Sequence, residues 1–173
     1  MGDFFDKERY EWHTIVGTVR VLDQVYSPEL ENRRAILVYL PPDYDSSQQR
    51  YPVIYMHDGQ NLFDQATSYT DEWQVDETME ALSRGGYPAI VVGIPNMGEQ
   101  RIDEYSPFDD PAHGVGQGHA YLAFIVETLK PLIDQQFRTL PDRLHTGIMG
   151  ASMGGLISLH AFSSTARSLA SPV

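Results

Sequence analysis

The segment Gly150-Ala151-Ser152-Met153-Gly154-Gly155 constrains the fold more than any other part of this chain. It follows an apolar run at 144–149 that reads as a strand. It precedes Leu156, Ile157, Leu159 and Phe162, which read as an apolar helix. When a strand turns into a helix this sharply, the residues two before and two after the apex crowd each other and must lack side chains. Gly150 and Gly154 meet that demand. The serine then projects at a helix N-terminus, where unpaired N–H groups and the helix dipole favour developing negative charge. Ser152 is therefore the candidate nucleophile. The bland alternative is a tight glycine-rich turn with a helix-capping serine.

The rest of the chain alternates apolar, β-branched runs with helical patterns, the mark of a mostly parallel sheet flanked by helices. Residues 14–22 and 34–40 read as strands, the second stopped by Pro41-Pro42, and together they suggest an antiparallel pair at a sheet edge. The run 53–56, between Pro52 and Asp58-Gly59, suits a buried central strand, as does 89–94 before Pro95-Asn96. A helix is predicted over 73–82, ended by Gly85-Gly86, and a long loop over 97–118. Residues 120–137 read as a helix with Leu122, Ile125, Leu129 and Leu132 on one face, and Pro131 must kink or interrupt it. No period marks 163–173, which is expected to fray.

Composition excludes several functions. With 173 residues, 42% of them hydrophobic, the chain can build one real core. Twelve Lys and Arg face 24 Asp and Glu, a net charge of -12 that repels phosphate backbones and anionic lipid. Nucleic acid is thus not an expected partner, and Arg33-Arg34 is too short a basic cluster to change that. The absence of cysteine removes disulfides, zinc–thiolate sites and a cysteine nucleophile. No apolar run approaches the ~20 residues of a membrane span, and the first residues do not resemble a secretory signal. The expectation is a cytoplasmic protein with no membrane partner.

A second chemical element is His57-Asp58-Gly59-Gln60-Asn61-Leu62-Phe63-Asp64, directly after a predicted central strand. In a strand–elbow architecture this loop lies beside the nucleophile and supplies one oxyanion-hole N–H, the residue after the serine supplying the other. The expected donors are the amides of Gln60 and Met153. The competing reading is an ordinary strand-ending turn. His57, at its strand end, is the best-placed alternative base. His113 and His119 flank Gly114-Val115-Gly116-Gln117-Gly118. Two histidines are too few for a metal site, and no strand precedes these glycines to make a dinucleotide loop. No metal and no cofactor are expected. His13 and His145 read as structural. Asp58, Asp64, Asp71, Asp103, Glu104, Asp109 and Asp110 read mostly as solvated surface. Trp12, Trp73, Tyr105 and Phe108 read as core or pocket wall.

Four segments together resemble the putative-esterase (esterase D-like) family of α/β-hydrolases: residues 38–42 (Val-Tyr-Leu-Pro-Pro), 51–60, 101–105 (Arg-Ile-Asp-Glu-Tyr) and 150–156. Enterochelin, feruloyl and acetyl-xylan esterases and S-formylglutathione hydrolase belong to the same family. The resemblance implies an α/β-hydrolase fold and hydrolysis of a small-molecule carboxylic ester or thioester through an acyl-enzyme, without metal or cofactor. It also implies a triad in the order Ser, Asp or Glu, His. After Ser152 there is no Asp or Glu, and the single histidine is His160. A helix would place His160 about 12 Å away, too far for a direct hydrogen bond. The chain is accordingly expected to be one α/β-hydrolase domain over 1–173, C-terminally incomplete, lacking further strands and showing little or no activity by itself. The strand at 144–149 would then be an exposed edge that favours self-association. A non-catalytic binding module with this fold, or an acyltransferase using the same serine, are the alternatives.

Overall fold

Residues 34–40 alternate side chains that fill both faces of a sheet, and this run lies inside the second strand of the molecule. The structure, a computed structural model, describes residues 13–109 and 114–168, without the side chains of 164–168. It contains strands β1 (Thr18–Ser27), β2 (Asn32–Leu40), β3 (Val53–His57), β4 (Ile90–Ile94) and β5 (Thr146–Met149). The helices are α1 (Val75–Arg84), α2 (Arg101–Tyr105), α3 (Gly118–Ala123), α4 (Lys130–Gln136) and α5 (Met153–Ser168). The strands form one mixed sheet in the order β1-β2-β4-β3-β5. β1–β2 and β2–β4 pair antiparallel, while β4–β3 and β3–β5 pair parallel.

The two faces of the sheet carry separate cores. Ile36, Val38, Val53, Tyr55, Ile90 and Val92 face Tyr121, Phe124, Leu129, Ile133 and Ile157, from the helices on one side. Leu37, Tyr39, Met56 and Val91 face Leu62, Phe63 and Met79 on the other. The parity of residue number along each strand decides which face a side chain joins. α1 therefore lies on one face and α5 on the opposite one. Since α1 follows β3 and α5 follows the adjacent β5, the chain leaves these neighbouring strands toward opposite faces. In open α/β sheets a crevice opens at the carboxyl ends of such strands.

Several expectations shift for identifiable reasons. β1 begins at Thr18 rather than near residue 14, because the backbone N–H groups of Thr14 and Val16 are taken by the carboxylates of Asp64 (3.2 Å) and Asp76 (2.7 Å). It then continues to Ser27 past a bulge between Leu22 and Val25. The predicted helix around Pro131 is built as α3, a π-helical stretch (Phe124–Leu129) and α4, with Pro131 near the start of α4. The wider π turns meet the demand set by proline, which has no N–H and crowds the carbonyl of the preceding turn. The loop expected over 97–118 contains α2. Residues 143–145 form a 3-10 turn capped by the Asp142 side chain, so β5 is only four residues long. α5 runs on to Ser168, past the point where fraying was expected. Residues 169–173 lie outside the described part. Among the described residues, no helix is long and apolar enough to cross a membrane.

Candidate active site at the ends of β3 and β5

The turn between β5 and α5 places Ser152 at φ 54°, in the left-handed region that side-chain-bearing residues avoid. Such a conformation costs on the order of 1–3 kcal/mol and persists only where the surroundings enforce it. Here the enforcement is steric. A Cβ on Gly150 would lie 2.8 Å from His57 Cδ2 and 3.1 Å from the Gly154 carbonyl carbon, and one on Gly154 would lie 3.2 Å from His57 Cβ. The two glycines thus pack against each other and on His57, and the backbone between them is thrown outward. The Ser152 side chain is exposed. Helical hydrogen bonding begins with Gly154 N–H to Ala151 O (2.8 Å) and Leu156 N–H to Ser152 O (3.1 Å), which leaves the Met153 N–H ahead of the first helical bond.

The loop after β3 is equally constrained. Asp58 also has a positive φ, 56°, and begins a 3-10 turn over Gly59–Asn61. Asn61 N–H donates to Asp58 O (2.9 Å), so the Gln60 N–H precedes the first bond of that turn. Gly59 lies directly on β4: an added Cβ would be 2.6 Å from both the Gly93 carbonyl carbon and Ile94 N. The Gln60 side chain accepts from Asn96 N–H (3.2 Å), tying this turn to the loop after β4. Because β3 and β5 are paired as far as Met56 and Met149, the two turns emerge side by side.

Beneath them runs a polar network whose proton directions can be deduced. Ser158 donates its single hydroxyl proton to Gly154 O (2.7 Å), so at 3.0 Å it must accept from His57 Nε2–H. A neutral imidazole with its proton on Nε2 accepts at Nδ1, and Tyr121 O–H donates there (2.8 Å). Tyr105 accepts Asp58 N–H at its hydroxyl oxygen (3.1 Å) and turns its own O–H to Asp58 Oδ1 (3.5 Å). The chain of donors therefore runs one way from Tyr121 through His57 and Ser158 to Gly154 O in the first turn of α5. Burial drives the His57 pKa down to about 4 and keeps the ring neutral.

Asp58 is the charged member of the site. Arg101 grips it with Nε to Oδ1 (2.7 Å) and Nη2 to Oδ2 (2.8 Å), and Asn96 Nδ2 donates to Oδ1 (2.7 Å). Burial opposes its ionisation, but the Arg101 and Asn96 hydrogen bonds outweigh that and hold it below the usual carboxylate range. α2 supplies Arg101 and Tyr105 one helical turn apart, both directed at Asp58. Its Glu104 makes a fully buried, two-pronged pair with Arg34 of β2 (2.9 and 2.6 Å), which fixes the short helix against the sheet.

The family model described as "Putative esterase" matches residues 27–168. The chain belongs to the Putative esterase family. It is 34% identical over 139 residues to the uncharacterized protein YbbA of Bacillus subtilis (strain 168), covering 75% of this chain and 50% of that one. Among solved structures, an IroE-like serine hydrolase from Shewanella oneidensis is similar at a TM-score of 0.69 and 26% identity, over 85% of this chain and 46% of that one. The BES protein from Bacillus cereus is similar at 0.67 and 25%, over 88% and 58% respectively. The chain spans about half the length of the curated relatives it matches.

The other candidates of this family member are dispersed. His57 is not free to act as a base, since both ring nitrogens are engaged below the elbow. His160 stacks edge-on with His119 (ring centroids 5.0 Å apart) and Phe108 (5.8 Å). His113, Asp110 and Trp12 lie outside the described residues. His13 pairs with Asp64 (2.5 Å) and His145 with Asp142 (2.8 Å). Tyr105 is core, whereas Trp73 and Phe108 are exposed. Asp58, Asp64 and Glu104 are buried rather than solvated. Sequence reasoning missed Asn96, Arg101, Tyr121 and Ser158 as parts of the site. Only the four-residue spacing of Arg101 and Tyr105 could have signalled a helix presenting both to one target.

Proposed function

We propose that Ser152 is the nucleophile of a serine esterase acting on a small-molecule carboxylic ester or thioester through an acyl-enzyme. The observation that carries this reading is the forced left-handed backbone of an exposed serine between Gly150 and Gly154. In the proposed reaction the Ser152 oxygen attacks the carbonyl carbon, and a histidine oriented by a carboxylate takes its proton. The Gln60 and Met153 N–H groups, both free of helical bonds, receive the negative charge of the tetrahedral intermediate. Each such donor contributes roughly 2.7–4 kcal/mol to transition-state stabilisation. Collapse of the intermediate expels the alcohol or thiol, and water then releases the acid. The serine hydrolase from Shewanella oneidensis, similar in fold, supports this reading.

Residues 153–173 contain no Asp or Glu, and His57 is committed elsewhere. With these residues alone Ser152 lacks an activating pair, and turnover should be low. Loss of a triad histidine costs on the order of 10⁶ in turnover in a serine protease. Incubation with excess p-nitrophenyl acetate should give slow, stoichiometric acetylation found by peptide mass spectrometry on Ser152, with hydrolysis near background. Label on other residues that persists in Ser152→Ala would refute the assignment, and Ser152-dependent multiple turnover would refute the inactivity. Among the described residues β5 pairs only with β3, so its outer edge is proposed to pair with a second chain. Sedimentation of a concentration-independent monomer would exclude that.

A further inference from the structure

At the start of α1, away from the serine, Glu72, Asp76 and Glu77 each direct a carboxylate oxygen to one place, and these oxygens lie within 4.8 Å of one another. Asp76 is fully buried. Its Oδ2 accepts Val16 N–H (2.7 Å), but its Oδ1 is buried with no hydrogen-bond partner. The same holds for Glu72 Oε1 and Glu77 Oε2, although Glu72 Oε2 accepts from Thr14 Oγ1 (2.6 Å). Each carboxylate therefore keeps one buried oxygen that meets no donor. Buried acceptors without donors are rare in folded proteins and call for a proton, a water or a cation. No lysine or arginine among the described residues forms an ion pair with any of the three. The helix N-terminus offsets part of the negative charge.

We propose that Glu72, Asp76 and Glu77 bind a hard divalent cation of the Ca²⁺ class. Carboxylate oxygens are the preferred ligands of such ions. An envelope of 4.8 Å is that of oxygens surrounding one Ca²⁺ at about 2.3–2.6 Å. Glu72 and Glu77 are only partly buried, which places the cluster near the surface. A cation here would join three segments: the approach to β1 through Thr14 and Val16, the first turn of α1, and the loop that leads back to the 3-10 turn after β3. That loop is bound to the turn by Trp73 N–H to Asn61 O (2.8 Å) and Val75 N–H to Leu62 O (3.0 Å). The competing occupant is a proton shared by Asp76 and Glu77. Burial, with Glu77 adding to it, pushes the Asp76 carboxyl up to about 7.

Titration of the full chain with TbCl₃ tests the proposal, because Trp73 is adjacent to Glu72 and sensitises Tb³⁺ emission. Saturable emission displaced by CaCl₂ is expected, together with a rise in Tm in CaCl₂ but not in NaCl of equal ionic strength. Glu72→Gln and Glu77→Gln, both at partly exposed positions, should weaken Tb³⁺ affinity by about tenfold or more. Asp76→Asn should abolish binding; if it does not fold, the two glutamine variants still decide the question. No saturable emission and no calcium-specific rise in Tm, or unchanged affinity in both glutamine variants, would overturn the proposal. A Tm that responds only to pH would assign the gap to the shared proton.

Discussion

Two groups of polar side chains with buried atoms flank the loop that follows β3, and they solve the problem of burial in opposite ways. Beneath the elbow the side-chain polar atoms of Asp58 and His57 all have partners: Asp58 has Arg101, Asn96 and Tyr105, and His57 has Tyr121 and Ser158. At the start of α1, three carboxylates each keep a buried oxygen that no donor reaches. A satisfied network in a low-dielectric interior rigidifies what it touches, whereas an unsatisfied one is held in place by the fold around it. The first arrangement suits a site whose backbone must hold a strained serine. The second suits a site whose missing partner comes from solution.

The comparison can be broken by removing the charge partner in the first region. Arg101→Ala leaves the buried Asp58 carboxylate with only the neutral donors Asn96 and Tyr105 and should destabilise the fold by about 3–5 kcal/mol in urea unfolding. A loss below 1 kcal/mol would show that the network is not the rigid element described here.

Acid should attack the same region next. The folded-state pKa of His57 is about 4, below its ordinary 6.5, so protons bind the unfolded chain first. The contribution of His57 is complete above pH 6.5 and is lost as pH falls toward 4, on the order of 3 kcal/mol in all. Asp58, Arg101, Tyr105 and Tyr121 are the titratable groups facing it, and Asp58, with its lowered pKa, begins to lose stability only below the ordinary carboxylate range. The difference in urea midpoint between the protein and His57→Gln, followed from pH 7 to 4, isolates this slope. A pH-independent difference would contradict it.

Ser158→Ala removes the acceptor of His57 Nε2–H and should cost about 1–3 kcal/mol. Its ¹⁵N imidazole shifts should report loss of the single Nε2–H tautomer. The smallest effect belongs to the second region. Glu77→Gln in calcium-free buffer relieves repulsion among like charges and should stabilise by about 0.5 kcal/mol, read as a small rise in Tm. A loss of stability there would mean that the three carboxylates are better satisfied than their geometry shows.

Local signals were legible in the sequence wherever neighbouring residues alone dictate the geometry. The strands at 34–40, 53–56 and 89–94 and the glycine pair around Ser152 all emerged where short-range pattern placed them. The boundaries of β1 and β5 did not, because side chains from residues 64, 76 and 142 compete for the backbone there. The π-helical solution at Pro131 was likewise beyond a reading that knew only that proline must disturb a helix.

From the amino-acid order by itself came the turn that must expose Ser152, since steric exclusion between Gly150 and Gly154 acts over five residues. The burial of Asp58, Asp76 and Glu104, the neutral tautomer of His57 and the grip of Arg101 were decided only by tertiary structure. Each depends on groups brought together from distant parts of the chain. Charge state and proton position follow from dielectric surroundings and available partners, and neither exists until the sheet has assembled.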